Sequence, residues 1–209
     1  MKRTLVLGAG RVGAVIAADL AGDEGLSVTV ADTSEAALQS ARARCEAVAT
    51  RRADLADEAT VRALAGEFDL VVGALPSRLG FAALRAVVEA GRPYADISFM
   101  PEEAGELDAL ARERGVPVVV DIGVAPGMSH LLAAHGVQRL GGAERVRILV
   151  GGVPVDPRPP WRFKAAFAPS DVVEEYTRPA RVVEGGRVVE RPALSVVEPV
   201  DLPEVCLLY

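Results

Sequence analysis

The sequence predicts an α/β fold: a doubly wound parallel sheet followed by a second, incomplete α+β domain. Two observations predict the sheet. Over the first 120 residues, short apolar runs alternate with helical patterns. Those runs are continuously apolar, as strands covered on both faces are. With right-handed crossovers they build a parallel sheet with helices on either side. A third observation marks the second domain. After Gly127 the texture changes, and strand patterns begin to follow strand patterns. The expected division is therefore 1–127 and 128–209.

Taken in order, Thr4–Leu7 reads as a strand and Val12–Ala21 as a helix. Ser27–Ala31 is a strand, and Glu35–Arg44 a helix opening behind Thr33 or Ser34. Val48–Arg51 is a third strand. Asp57 can cap a helix through Ala65. Leu70–Gly73 is a buried strand, followed by a helix near Phe81–Ala90. Pro93–Asp96 is a strand, and a helix follows over Glu102–Arg114, with Pro101 in its first turn. Val116–Val120 is the sixth strand. Beyond it, Met128–Leu140 has a helical pattern, and Val146–Val150 and Phe163–Phe167 are expected strands either side of the stiff stretch Pro154–Pro160. Asp171–Tyr176 is a short helix. Ala180–Glu184 and Arg187–Glu190 flank Gly185-Gly186, a hairpin signal.

Composition removes several classes. The chain has 209 residues, half of them hydrophobic, and a net charge of -6. That excludes a disordered chain and disfavours a nucleic-acid role, since no general basic field exists. Cys45 and Cys206 form no metal spacing and no disulfide framework, which fits a reducing, cytoplasmic compartment. Arg11 interrupts the apolar start, arguing against a signal peptide. The uncharged run Ile122–Gln138 falls short of the ~20 apolar residues of a membrane span.

Gly8-Ala9-Gly10-Arg11-Val12-Gly13 fits the spacing GxGxxG between a strand and a helix. The first glycine allows the tight turn, the second lets backbone approach a pyrophosphate, and the third lets helix and strand pack closely. The helix N-terminus then faces the phosphates. Asp32, 19 residues beyond Gly13, closes the second strand, where an acid meets the ribose 2′-hydroxyl. Together these are the fingerprint of a Rossmann dinucleotide site. Thr33, Ser34 and Glu35 follow Asp32 with no arginine among them, so NAD is expected over NADP. Ala74-Leu75-Pro76, after the fourth strand, is expected on the nicotinamide side.

Ligands of open parallel sheets lie beyond the carboxyl ends of the strands. Asp96 closes the fifth strand there and Asp121 the sixth. Such acids can deprotonate an amine while its carbon yields hydride, or bind an ammonium; the alternative is that each caps a turn. If they lie close together, one carries a raised pKa and acts as base, with Asp121 favoured. His130 can relay a proton or simply bond locally at a helix start. His135, five residues on, does not share a metal-binding face with it, and no metal site is expected.

The segments GAGRVG (8–13), GALPSRLG (73–80), YADISFMP (94–101), DIGVAPGMSHLL (121–132), GGVPVDPRPPW (151–161) and FAPSDVVEEYTRPARVVEGG (167–186) run in one order along nearly the whole chain. In them the chain resembles the saccharopine dehydrogenase family, closest to bacterial lysine 6-dehydrogenase-like members. The resemblance implies that these segments surround a nicotinamide and an amino-acid substrate. Asp121 and Ala125 depart from the Glu-Ile-Gly-Leu-Asp-Pro-Gly pattern of saccharopine reductases, pointing away from saccharopine itself. Family members are usually longer, so a C-terminally truncated chain is expected.

Tyr176 and Arg178 are candidate substrate contacts, Arg178 by its carboxylate-binding fork; the alternative for Arg178 is an ion pair with Glu174 or Glu175. Trp161 is read as packing between domains. Arg42, Arg44, Arg51 and Arg52 are read as a solvated face, with adenine or phosphate binding the lesser alternative. The leading function is an NAD-linked oxidoreductase acting on an amino acid or its secondary-amine derivative, through an imine. The opposing readings are an NAD-binding regulatory module, as the opening also resembles potassium-transport regulators, or an inactive remnant. A homodimer is expected, with no nucleic-acid or membrane partner.

Overall fold

The computed structural model describes residues 1–151, 159, 165 and 167–196. Two compact units divide at Ile148 and Leu149. The first unit alternates strand and helix: β1 Lys2–Leu7, α1 Gly13–Leu20, β2 Leu26–Asp32, α2 Glu35–Arg44, β3 Ala49–Arg52, α3 Glu58–Gly66, β4 Leu70–Gly73, α4 Ser77–Glu89, β5 Tyr94–Asp96, α5 Asp108–Arg114, β6 Val118–Val119 and α6 Met128–Leu140. The turn at residue 127, where the sequence divides the chain, lies inside this unit, because α6 groups with the sheet.

All six strands are parallel, in the order β3-β2-β1-β4-β5-β6. The order reverses beside β1, so the β1–α1 turn opens at the switch point where such sheets bind ligands. The period of two sorts each strand between two cores. Leu5, Leu7, Val71 and Tyr94 face α3 and α4, against Val61, Leu64 and Leu84. Val6, Val28 and Val30 face α1 and α2, against Ala17, Leu38 and Ala41. Each buried valine or leucine among them contributes about 1.5–3 kcal/mol over its exposed state. Helix starts follow local chemistry. The Ser34 hydroxyl accepts from Ala37 N at 3.3 Å, and Asp57 accepts from Ala59 N and Thr60 N.

Four expected elements differ. The helix expected over Glu102–Arg114 splits into a 3₁₀ turn, Ala104–Leu107, and α5. Gly105 weakens an α-helix there by about 1 kcal/mol relative to alanine. Pro101 stands before the turn rather than in a first helical turn. Helix α4 begins at Ser77, directly behind Pro76, well before Phe81. Strand β6 keeps only Val118–Val119 of the apolar run. No strand forms over Val146–Val150; Val146, Leu149 and Val150 are exposed and pair with no strand among the described residues.

The second unit contains α7 Pro169–Thr177 and an antiparallel hairpin, β7 Ala180–Glu184 and β8 Arg187–Arg191, joined by Gly185-Gly186 as expected. Arg191 clamps Glu184 across the hairpin through both carboxylate oxygens. Most of Phe163–Phe167, most of the Pro154–Pro160 stretch, Trp161, Cys206 and the apolar end of the chain lie outside the described residues. No helix among the described residues is long and apolar enough to cross a membrane.

Candidate functional site

Strand β1 runs into the glycine turn with Gly8 N–H bonded to Ala31 O at 2.8 Å. Gly8 takes φ +101°, and a Cβ there would stand 2.5 Å from Ala74 O. At Gly13 a Cβ would run into the Gly8 carbonyl, so helix and strand meet closer than any side chain permits. Gly10 differs: a Cβ there meets nothing within 4 Å. Backbone therefore faces open space at the N-terminus of α1. That is the cradle a pyrophosphate needs, so the turn fits a dinucleotide. Arg11 and Val12 are exposed beside it.

Asp32 ends β2 and reaches back to the turn. Its Oδ2 accepts from Ala9 N at 2.8 Å and its Oδ1 from Ser34 N at 2.8 Å. The carboxylate is partly buried, and Thr33 beside it is exposed. Ala74 N–H bonds Leu7 O at 2.9 Å, which sets Ala74 and Leu75 directly against Gly8 and Gly13. Pro76 caps α4 next to them. The structure thus brings together the residues expected to hold the cofactor, from β1, β2 and the β4–α4 connection.

The two acids separate in character. Asp121 is exposed and takes φ +57°. Ile122 N–H bonds Asp96 O at 3.2 Å, so the stretch carrying Asp121 is tied to the end of β5. Asp96 itself is fully buried rather than lining the mouth of the sheet. Its Oδ1 accepts from Ser98 N at 2.9 Å and Ser98 Oγ at 2.7 Å. Burial raises its pKa and the Asp121 charge adds to that, while the Ser98 bonds oppose it. Two residues back on the same face, Tyr94 is also buried, and its hydroxyl is pushed well above its ordinary pKa by burial and by Asp96. Neither Asp96 Oδ2 nor Tyr94 Oη has a hydrogen-bond partner among the described residues. Both side chains crowd the space over Gly73, where a Cβ would run into them.

His130 is exposed, and its Nδ1 accepts from Gly127 N at 3.1 Å. That bond closes the first turn of α6, the local role the sequence left as the alternative. Tyr176 is half exposed on α7, and Arg178 N–H ends that helix on Glu174 O at 2.9 Å. Both belong to the second unit.

Tyr94, Ser98 and Gly73 were not singled out from the sequence. The spacing Tyr94-x-Asp96 on a strand carries a signal, because residues two apart share a face. Asp96-x-Ser98 carries another, since Asp readily accepts from a backbone N–H two residues on.

Residues 4–119 match the saccharopine dehydrogenase NADP binding domain, and residues 123–206 match the saccharopine dehydrogenase C-terminal domain. The mitochondrial alpha-aminoadipic semialdehyde synthase of Mus musculus is 25% identical over 210 residues, 96% of this chain and 23% of that protein. The saccharopine dehydrogenase [NADP(+), L-glutamate-forming] of Schizosaccharomyces pombe is 25% identical over 151 residues, 69% of this chain and 34% of that protein. The apo saccharopine dehydrogenase (L-Glu forming) of Saccharomyces cerevisiae superposes with a TM-score of 0.69 at 20% identity, covering 98% of this chain and 48% of that one. The chain therefore spans at most about half the length of these relatives.

Proposed function

The chain belongs to the saccharopine dehydrogenase family, and from that premise we propose that it is an NAD-linked oxidoreductase of lysine-type amino acids or their secondary-amine derivatives. The observation that carries this reading is the glycine turn held by Asp32, with open space over Gly10. A bound nicotinamide supplies the hydride acceptor for the substrate carbon. The chain's own residues bind, orient and manage one proton.

In this reading the pyrophosphate lies over Gly10 at the N-terminus of α1, flanked by Arg11 and Val12. The ribose diol meets Asp32 and Thr33. Ala74, Leu75 and Pro76 line the nicotinamide side. Asp121, exposed at the mouth of the sheet, meets the substrate amine and takes its proton as the amine becomes an imine. Asp96, sealed behind it, acts through Asp121: it is a positioning residue rather than a substrate contact. His130 holds the start of α6, and Tyr176 and Arg178 are the second unit's own candidates for binding a carboxylate. Residues 1–127 form the nucleotide-binding part and 128–209 belong to the substrate part, a reading that the family matches at 4–119 and 123–206 support.

The cofactor preference rests on Asp32. A carboxylate there accepts from a free ribose 2′-hydroxyl and repels a 2′-phosphate. The family domain and the fungal relative carry NADP in their names, and the preference for NAD rests on Asp32 alone. Self-association is also part of the reading. Helix α6 has no buried residue, and Leu131 and Leu132 on it are exposed, which a second copy would cover.

Nucleotide binding without turnover is the second reading, since the glycine turn and Asp32 would hold a nucleotide whether or not a reaction follows. One experiment separates the two. The purified chain is titrated with NAD by calorimetry, then incubated with NAD and a panel of amino acids while reduced-nicotinamide absorbance is followed. Absorbance growth with a lysine-like amine supports the oxidoreductase. Binding with no growth on any amine supports the second reading, and absence of NAD binding overturns both.

A further inference from the structure

We propose that Arg52 reads the 2′-phosphate of NADP, so that the nucleotide site accepts NADP alongside NAD despite Asp32. This rests on the nucleotide reading above and names the residue that sets its selectivity.

Arg52 is the last residue of β3 and stands in register with Asp32, the last residue of β2. Neighbouring strands lie about 4.8 Å apart. Ala53 N–H bonds Asp32 O at 3.1 Å, so the two strand ends are fastened together just where ligands of parallel sheets sit. The direction of each arginine follows from pleat alternation. The Arg51 guanidinium is bidentate on Glu67, at 3.1 and 3.2 Å, just beyond the end of α3. That is the α3–α4 face of the sheet. Arg52, one residue on, points to the opposite face. Asp32 shares that face, because it is two residues beyond Val30, which packs with α1 and α2. Arg52 is exposed and has no ion-pair partner among the described residues.

The adenosine ribose bound by Asp32 would therefore have a guanidinium beside its 2′ edge. Arginine presents rigid parallel donors that match phosphate oxygens. A 2′-phosphate would meet repulsion from Asp32 on one side and a charge-assisted pair with Arg52 on the other. The N-terminus of α2, opening at Ser34, adds a partial positive charge at the same edge. A bare 2′-hydroxyl needs only Asp32. The same strand ends thus offer a partner to each form of the cofactor. The sequence alone shows four arginines in a run; the structure divides Arg51 from Arg52.

The test is calorimetric titration of NAD and of NADP into the full chain and into Arg52→Ala, Arg52→Lys and Arg51→Ala. Circular dichroism and the thermal midpoint check that each variant folds. Wild type should bind both nucleotides. Arg52→Ala should weaken NADP about 10-fold or more while NAD shifts by less than about threefold. Arg52→Lys should fall between, keeping the charge but losing the fork. Arg51→Ala should leave the ratio of the two affinities unchanged. A wild type that binds NAD but not NADP, or an unchanged ratio in folded Arg52→Ala, overturns the inference and leaves the nucleotide reading standing. Absence of binding by either nucleotide overturns both.

Discussion

The Asp32 carboxylate accepts the Ala9 N–H at 2.8 Å from 23 residues further along the chain. With its other oxygen on Ser34 N, it joins the glycine turn, the end of β2 and the start of α2. Asp32→Ala removes the acceptor of both the Ala9 and the Ser34 N–H. Hydrogen bonds to a charged group contribute about 1.5–3 kcal/mol. NAD affinity should fall about 10- to 100-fold, in step with that range. Calorimetry with NAD measures this, and an unchanged affinity would place the ribose elsewhere.

Gly10 and Gly13 should respond in opposite ways. A valine at position 10 enters open space, so Gly10→Val should fold with nearly wild-type stability and lose NAD binding, because it fills the pyrophosphate space. A valine at position 13 drives into the Gly8 carbonyl. Gly13→Val should therefore lose several kcal/mol of stability, in the upper range for single substitutions. Urea unfolding combined with NAD titration distinguishes them; a folded Gly10→Val that binds NAD normally contradicts the assignment of the turn.

Asp96 makes stability depend on pH in a defined direction. Its folded pKa is raised above the unfolded value, first by burial and then by the charge of Asp121. The unfolded chain therefore loses this proton first. Stability falls as pH rises from the ordinary carboxyl value, about 3.9, through the folded value, and levels off above it. Asp96→Asn keeps an acceptor for Ser98 and places a donor near the unpartnered Tyr94 hydroxyl. The variant should match wild type at acid pH and exceed it increasingly toward neutrality. Unfolding measured across this range checks the trend, and a variant less stable than wild type at neutral pH refutes it.

Asp121→Asn tests the proton step. General-base removal typically costs ~10²–10⁴-fold in rate. Turnover should fall by that order in preparations that show activity, with NAD affinity unchanged. Wild-type turnover in the variant would return Asp121 to the role of a turn residue.

Self-association should follow from α6, a helix of 13 residues with none buried. Light scattering should find a dimer or larger assembly, and the double variant Leu131→Glu, Leu132→Glu should reduce its mass. A wild-type chain that stays monomeric at high concentration contradicts this.

Much of this molecule follows from local pattern. Apolar runs, capping residues such as Asp57 and the spacing of Gly8, Gly10, Gly13 and Asp32 act over a few residues or one βαβ unit. A reading along the chain therefore finds them, together with the strand-end position of Asp96; Asp121, expected to close the sixth strand, lies two residues beyond it. Packing decided what lies far apart in sequence or depends on which surface covers which. Asp96 ends β5 and Asp121 lies two residues beyond β6, yet Ser98 and Tyr94 enclose the first and the second stays exposed. Arg51 and Arg52 are adjacent and identical, yet the pleat sends one to Glu67 and the other to the face of Asp32. The apolar run Val146–Val150 has strand propensity and forms no strand, since a strand needs a neighbour to take its hydrogen bonds. Composition and periodicity encode the tendency of a segment; burial and pairing arise only when distant segments meet.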